Sequence, residues 1–238
     1  MSGELPFGSD PRTDRLRRIH GAMIDRFGRM PRIDDRRRDP VWTMVQGVIG
    51  ARSKTEASNA ATDRLLDRFA TWEGVAEASL AEVTDALASQ TFPEQSARRL
   101  QACLRAIIEQ RGCVDLRHLS NLDSADLMAW LETLPGIARK ISAGIANTSI
   151  FARRALVIDT HHRRVMQRVG LVPAKADTTR AYDALMPILP ADWTAVDIDE
   201  HHLLVKRVGQ TTCRPSVMYC RECPLSSQCN TGRARQAS

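Results

Sequence analysis

Leu134-Pro135-Gly136-Ile137-Ala138-Arg139-Lys140 is the stretch on which the fold turns. Asp123 to Glu132 before it has the apolar spacing of a helix, and a new helix is predicted from about Ala138 to Ile150. Pro135 ends the first helix because the residue before a proline is pushed out of the helical region. Gly136 then permits a turn that residues with a β-carbon disfavour. The unit is helix, tight turn, helix. At the start of its second helix, backbone N–H groups point outward and the helix dipole favours an anion, so the turn is a natural phosphate clamp. A Pro-Gly turn by itself is also a plain connection in many helical proteins.

Working outward, Asp159 follows Lys140 by 19 residues, after the short apolar run Ala155 to Ile158. A helix and its return loop can place both side chains beside one cleft. The plain alternative is an exposed lysine and an aspartate that caps a helix. His161, His162, His201 and His202 form two adjacent pairs about forty residues apart. Neighbouring residues on a helix project in different directions, so these pairs do not suggest a second metal site, and His161 is expected to orient the loop of Asp159.

Cys213, Cys220, Cys223 and Cys229 are separated by six, two and five residues. Four thiolates so placed can close around one soft metal centre. Zinc sites generally use close ligand pairs at both ends, whereas only Cys220 and Cys223 form such a pair here. An iron–sulfur cluster accepts looser spacing because the cluster spans the distance between its ligands. The spacing favours the cluster, with structural zinc the alternative. Its role is expected to be structural, ordering a loop poor in apolar residues and presenting Arg214, Arg221, Arg233 and Arg235 as a positive surface. Cys103 stands apart beside the stripe of Leu100, Leu104, Ile107 and Ile108 and is expected in the core.

The rest of the chain reads as helices, among them Asp14 to Phe27, Asn59 to Phe69, Val75 to Leu87, Ala97 to Glu109, Ala181 to Leu189 and Asp199 to Val208, with almost no alternating pattern. The predicted class is all-α. Lys and Arg outnumber Asp and Glu by 34 to 28, with Arg12, Arg15, Arg17, Arg18, Arg26, Arg29, Arg32 and Arg36 to Arg38 crowded near the N-terminus. That excess favours a polyanionic partner, or else forms a solvated basic tail. No apolar run reaches about 18 residues and the first thirty are too charged for a secretory signal, so a soluble, cytoplasmic protein without a membrane partner is expected.

Three elements in order, Leu134 to Lys140, Val157-Ile158-Asp159-Thr160-His161 and the four cysteines, resemble the endonuclease III branch of the helix-hairpin-helix DNA glycosylases. The resemblance extends over the helices from Pro40 to Glu109. It implies a two-domain all-α fold with a DNA-binding cleft between a six-helix domain, residues 42–152, and an iron–sulfur domain made from 1–41 and 153–238. It implies a [4Fe–4S] cluster on the four cysteines, and a monomer acting on double-stranded DNA that carries a damaged or mismatched base. The damaged nucleotide would be flipped out, since its glycosidic carbon is unreachable in the stack. Lys140 would attack the sugar C1′ as a neutral amine and form a Schiff base, while Asp159 stabilises developing positive charge and assists proton transfer. The implied activity is base-excision glycosylase with abasic-site β-lyase action on damaged, oxidised pyrimidines. Uracil, thymine-mismatch or other modified-base excision is the alternative, followed by a noncatalytic iron–sulfur DNA-binding protein.

Gly136, Ala138 and Arg139 are the implied phosphate contacts of the hairpin, with Ala138 standing where a second glycine is usual. Arg52, in Gly50-Ala51-Arg52-Ser53-Lys54-Thr55, replaces the family's glutamine that enters the space left by the flipped base. It would pair with the orphaned base or with phosphate. Phe92 is the candidate apolar wedge, with core packing as its other reading. The segment Arg111 to Leu131 is longer than in the commonest members of the family.

Overall fold

A computed structural model describes residues 10–30 and 38–236. Two Asp-Pro pairs start helices in the same way. Asp10 accepts from the amide of Arg12 ahead of α1 (Pro11–Phe27), and Asp39 accepts from Val41 and Trp42 ahead of α2 (Pro40–Ile49). In each case the proline stands at the first helical position, where its missing N–H costs nothing. Then follow α3 (Thr55–Phe69), α4 (Trp72–Glu77), α5 (Leu80–Ala86), α6 (Pro93–Arg111), α7 (Ser124–Glu132) and α8 (Arg139–Thr148). The chain continues through α9 (Thr160–Val169), α10 (Thr178–Leu185), α11 (Ala195–Thr211) and α12 (Asn230–Gln236). Among the described residues the only β pairings are two isolated bridges, Arg38 with Ser149 and Cys213 with Met218. The all-α expectation holds.

One expected helix is two. Val75 to Leu87 breaks at Ala78, whose ψ of 157° is extended, and Ser79 restarts the chain with a capping box in which Ser79 and Glu82 satisfy each other's backbone N–H groups. Gln101 of α6 spans the break by donating to the carbonyls of Val75 at 3.0 Å and Ala78 at 2.8 Å.

The described residues form two compact units. The first takes 38–157. Its core lies where Met44, Val45, Val48 and Ile49 of α2 and Leu100, Leu104 and Ile107 of α6 are buried, each worth about 1.5–3 kcal/mol. Cys103 is fully buried there, 3.7 Å from the Met44 sulfur, and burial pushes its thiol up to about 12. It packs and does not react. Helix α2 also meets α8 closely. A β-carbon on Gly47 would stand 3.0 Å from Ile141 Cγ2, so a larger residue here would require the Ile141 side chain to give by a few tenths of an ångström.

The second unit takes 10–30 with 158–236, and in it α11 packs on α9 and α1. Two arginines of the basic N-terminal run have partners within this unit. Arg15 donates to the carbonyls of Val169 at 2.6 Å and Gln228 at 3.1 Å, and Arg17 pairs with Asp192. Arg32, Arg36 and Arg37 lie outside the described residues.

Candidate functional site

The hairpin is built as the sequence suggests. Ile137 N–H closes a turn on the Leu134 carbonyl at 3.2 Å, and Gly136 sits at φ +84°. Leu134 and Ile137 are buried, whereas Pro135, Gly136 and Ala138 are exposed. Ala138 occupies the N-cap of α8 with no side-chain hydrogen bond to the helix, where serine, threonine or aspartate is usual. Lys140 is exposed at the second position of α8.

Glu132 at the end of α7 braces this turn. It accepts from Arg139 Nε at 2.7 Å and Nη2 at 3.2 Å, and from the buried Ser142 hydroxyl at 2.6 Å. Burial works to raise its pKa, but the hydrogen bonds from Arg139 and Ser142 bring it below the ordinary glutamate range. The Arg139 guanidinium therefore holds the two helices of the hairpin together.

Arg52 and Phe92, distant in sequence, come together. Thr91 Oγ1 donates to the Arg52 carbonyl at 3.0 Å and Thr91 N–H to Ser53 Oγ at 3.2 Å, which staples the two loops. The Arg52 guanidinium carbon lies 5.7 Å from the Phe92 ring centre, a cation–π contact. Phe92 is 41% exposed, so the core reading of this residue does not apply. Buried Gln90, which donates to the Ala57 carbonyl at 3.1 Å, fixes the loop instead. Arg52 has φ +59°, a conformation costly for a residue with a β-carbon.

In the other unit, Asp159 is the N-cap of α9 and accepts from the His162 amide at 2.8 Å. Burial works to raise its pKa. His202 first, then the His162 amide, His162 and His161 pull the other way and hold the carboxyl below the ordinary aspartate range. The ring of His161 meets Arg164 Nη2 at 3.2 Å, so the backbone bond that orients Asp159 comes from His162.

Cys213, Cys220, Cys223 and Cys229 line one pocket with Arg168, Thr212, Met218 and Thr231. All four are free thiols, and no group of three or more His, Cys, Asp or Glu side chains among the described residues is drawn together as ligands of a single ion. Arg168 Nη1 lies 3.2 Å from the Cys213 sulfur, and Gly232 N–H donates to the Cys229 sulfur at 3.3 Å. Burial raises the pKa of Cys223 and Cys229. Across residues 212–229 only Leu225 is buried, so this loop has almost no core of its own. A positively charged group bound to the thiolates would supply what the loop lacks, and the all-sulfur donor set suits an iron–sulfur cluster.

Two contributors, Glu132 and Arg168, were not singled out in the sequence, and a third, His202, was noted only as one of a histidine pair. Glu132, Arg168 and His202 make contacts 7, 45 and 40 residues away, which no local pattern announces.

Helices α7 and α8 with the Pro-Gly turn between them form a helix-hairpin-helix unit. Residues 45–190 match the HhH-GPD superfamily base excision DNA repair protein family, and the chain belongs to it. Endonuclease III of Synechocystis sp. is 28% identical over 197 residues, which span 82% of this chain and 83% of that protein. The fold matches that of a non-covalent endonuclease III–DNA complex at a TM-score of 0.73, with 23% identity over 95% of this chain and 99% of the other. It also matches a trapped endonuclease III–DNA covalent intermediate at 0.73, with 22% identity over 94% and 98%. Among the described residues no helix is long and apolar enough to cross a membrane.

Proposed function

We propose that this chain is a bifunctional DNA glycosylase and abasic-site lyase that removes damaged pyrimidines from double-stranded DNA. The observation that carries the reading is Lys140, exposed in the first turn of the helix that the Pro-Gly hairpin opens, in a chain of the HhH-GPD superfamily. The helix end and the turn around Gly136 and Ala138 take a backbone phosphate through their N–H groups. Arg139 serves this clamp by bracing it, since its guanidinium is held by Glu132. The Lys140 amine attacks C1′ as the base departs, and the Schiff base so formed undergoes β-elimination. Asp159, a carboxylate held in its charged form, stabilises the positive charge that develops on the sugar and assists proton transfer.

Arg52 and Phe92 present one exposed, stacked pair suited to fill the gap left by the flipped nucleotide. Arg52 in place of an uncharged amide supports a second reading within the same chemistry, in which the excised base is uracil, mismatched thymine or another modified base. Cys213, Cys220, Cys223 and Cys229 would hold a [4Fe–4S] cluster. When bound, it orders residues 212–229 and is not asked to act on the sugar. The site of action is chromosomal DNA in the cytoplasm, and the acting species is a monomer.

The test is borohydride trapping on duplexes that each carry one lesion. Wild-type protein is expected to give a trapped adduct and a nicked strand, and Lys140→Ala neither. Asp159→Asn should bind the same duplex but release base more slowly. An undiminished adduct with Lys140→Ala refutes the assignment of the nucleophile, and binding without base loss on every duplex would leave only a DNA-binding protein.

A further inference from the structure

The cysteine sulfurs are not served alike by their surroundings. The Cys223 sulfur meets the Leu225 amide and the Thr212 hydroxyl, and the Cys229 sulfur meets the amides of Thr231 and Gly232, the latter at 3.3 Å. These donors are neutral. At Cys213 the donor is a cation, since Arg168 Nη1 of α9 reaches its sulfur at 3.2 Å. A hydrogen bond with a charged donor is about twice as strong as one between neutral groups.

Arg168 makes this contact from a fixed position. The same Nη1 donates to the Arg214 carbonyl at 2.7 Å and Nη2 to the Pro215 carbonyl at 2.9 Å, so one planar fork holds three consecutive residues of the loop. The Arg168 carbonyl in turn accepts from Thr231 Oγ1 at 3.0 Å and from Cys229 Sγ at 3.2 Å. A single residue of α9 thus touches both the first and the last of the four cysteines. On ligation Cys229 gives up its thiol hydrogen, and the Thr231 hydroxyl remains on that carbonyl. Arg168 is half-buried, so solvent screens its charge only in part.

The backbone of Cys213 is tethered by other groups. Its N–H donates to the Val208 carbonyl at 2.9 Å, and its carbonyl accepts from Arg164 Nη2 at 3.0 Å and Nε at 3.1 Å. Loss of the Arg168 guanidinium therefore takes charge and a donor from the Cys213 sulfur while these tethers stay in place.

We infer that Arg168 is a positioning residue of the cysteine site, which acts through the Cys213 sulfur to raise the reduction potential of the iron–sulfur cluster and to slow its loss of iron. The inference rests on the reading of the four cysteines given above. A cation and an N–H on a ligating sulfur both favour the more negatively charged state of the bound group, which raises its potential. The grip on residues 213–215 keeps the sulfur where it ligates, which opposes release.

The experiment uses full-length protein purified with its cluster and compares wild type with Arg168→Gln, Arg168→Lys and Arg214→Gln. Gln keeps a donor without the charge, and Lys keeps the charge without the fork. Arg214→Gln removes a charge beside the same cysteine, from a side chain whose Nε is turned to the Gln210 carbonyl at 3.2 Å. Iron and acid-labile sulfide are counted, the midpoint potential is read by protein-film voltammetry, and iron release to a chelator is timed. The expected results are a lower potential in Arg168→Gln than in wild type or Arg214→Gln, and a potential near wild type in Arg168→Lys. Iron release should be about tenfold faster in both Arg168 variants. A wild-type potential in Arg168→Gln, a shift of equal size in Arg214→Gln, or wild-type iron release in both Arg168 variants overturns the inference. Should Arg168→Gln not retain iron, Arg168→Lys and Arg214→Gln decide: faster release from the first alone supports the grip, and equal rates refute it. Wild-type protein without iron and sulfide would instead remove the reading of the cysteines, and the role of Arg168 with it.

Discussion

Glu132→Ala removes the acceptor of three hydrogen bonds at the hairpin, two from Arg139 and one from Ser142. The carboxylate and guanidinium are 25% and 23% exposed, so solvent screens this pair only in part. Hydrogen bonds to a charged group contribute about 1.5–3 kcal/mol, and the buried Ser142 hydroxyl would lose its charged partner, keeping its bond to the Arg139 carbonyl. Some of this is offset because Arg139 regains water. We expect Glu132→Ala to cost about 2–3 kcal/mol at neutral pH, with about 1–2 kcal/mol of it shared with Arg139→Ala in a double-mutant cycle. The pH dependence has a definite sign. Glu132 is held below its ordinary 4.5 in the fold, so its contribution is complete above that value and is lost as pH falls through the lower, folded one. Urea unfolding of wild type, both single variants and the double variant measures the coupling. Strictly additive losses, or a difference between wild type and Glu132→Ala that survives well below pH 4.5, would refute the brace. On the proposed role of the hairpin as a phosphate clamp, the same variants should bind duplex DNA more weakly, because the turn is no longer pinned to α7.

Arg52→Gly relieves a positive φ and should leave stability unchanged or raise it by about 1 kcal/mol, while opposite-base selectivity is lost; a clear fall in the urea midpoint would count against the strain. Cys223→Ser should lower iron and acid-labile sulfide together and make residues 212–229 sensitive to protease, and retention of both elements would exclude this thiol as a ligand. His162 stays neutral in the fold but takes up a proton near 6.5 once unfolded. Stability should therefore fall between about pH 6.5 and 3 at up to about 1.4 kcal/mol per pH unit. A urea midpoint that is flat between neutral pH and about 5 would contradict this burial.

The parts of this fold that were legible in the sequence are those set by neighbours along the chain. Pro135 and Gly136 mark the hairpin because both act on local dihedral angles. The helix period carried the all-α class, yet it ran straight across Ala78, since apolar spacing alone does not register a restart. The Ser79 to Glu82 capping signature was there to be read and locates the break. Arg15 read as a polyanion contact from composition, but its partners lie 154 to 213 residues away. Charge counts say nothing of what a guanidinium has already bound. Phe92 read as an apolar wedge with core packing as its other reading, because a lone aromatic has no period to decide, and it is exposed. The two histidine pairs were legible, but not that His162, His201 and His202 meet each other and His20, which only the packing of three helices brings about.

The discontinuous unit has a consequence for how the chain is made. Helix α1 is synthesised first, but Arg15 binds the carbonyl of Gln228, 213 residues later. At about 5–20 residues per second, α1 waits some 10–40 s on the ribosome for this partner, whereas residues 38–157 emerge as one uninterrupted stretch and can fold in the meantime. Folding should run from the middle of the chain outward, and the amphipathic α1, with Leu16, Ile19 and Met23 bare until α11 arrives, is the segment that a nascent-chain chaperone has most reason to hold.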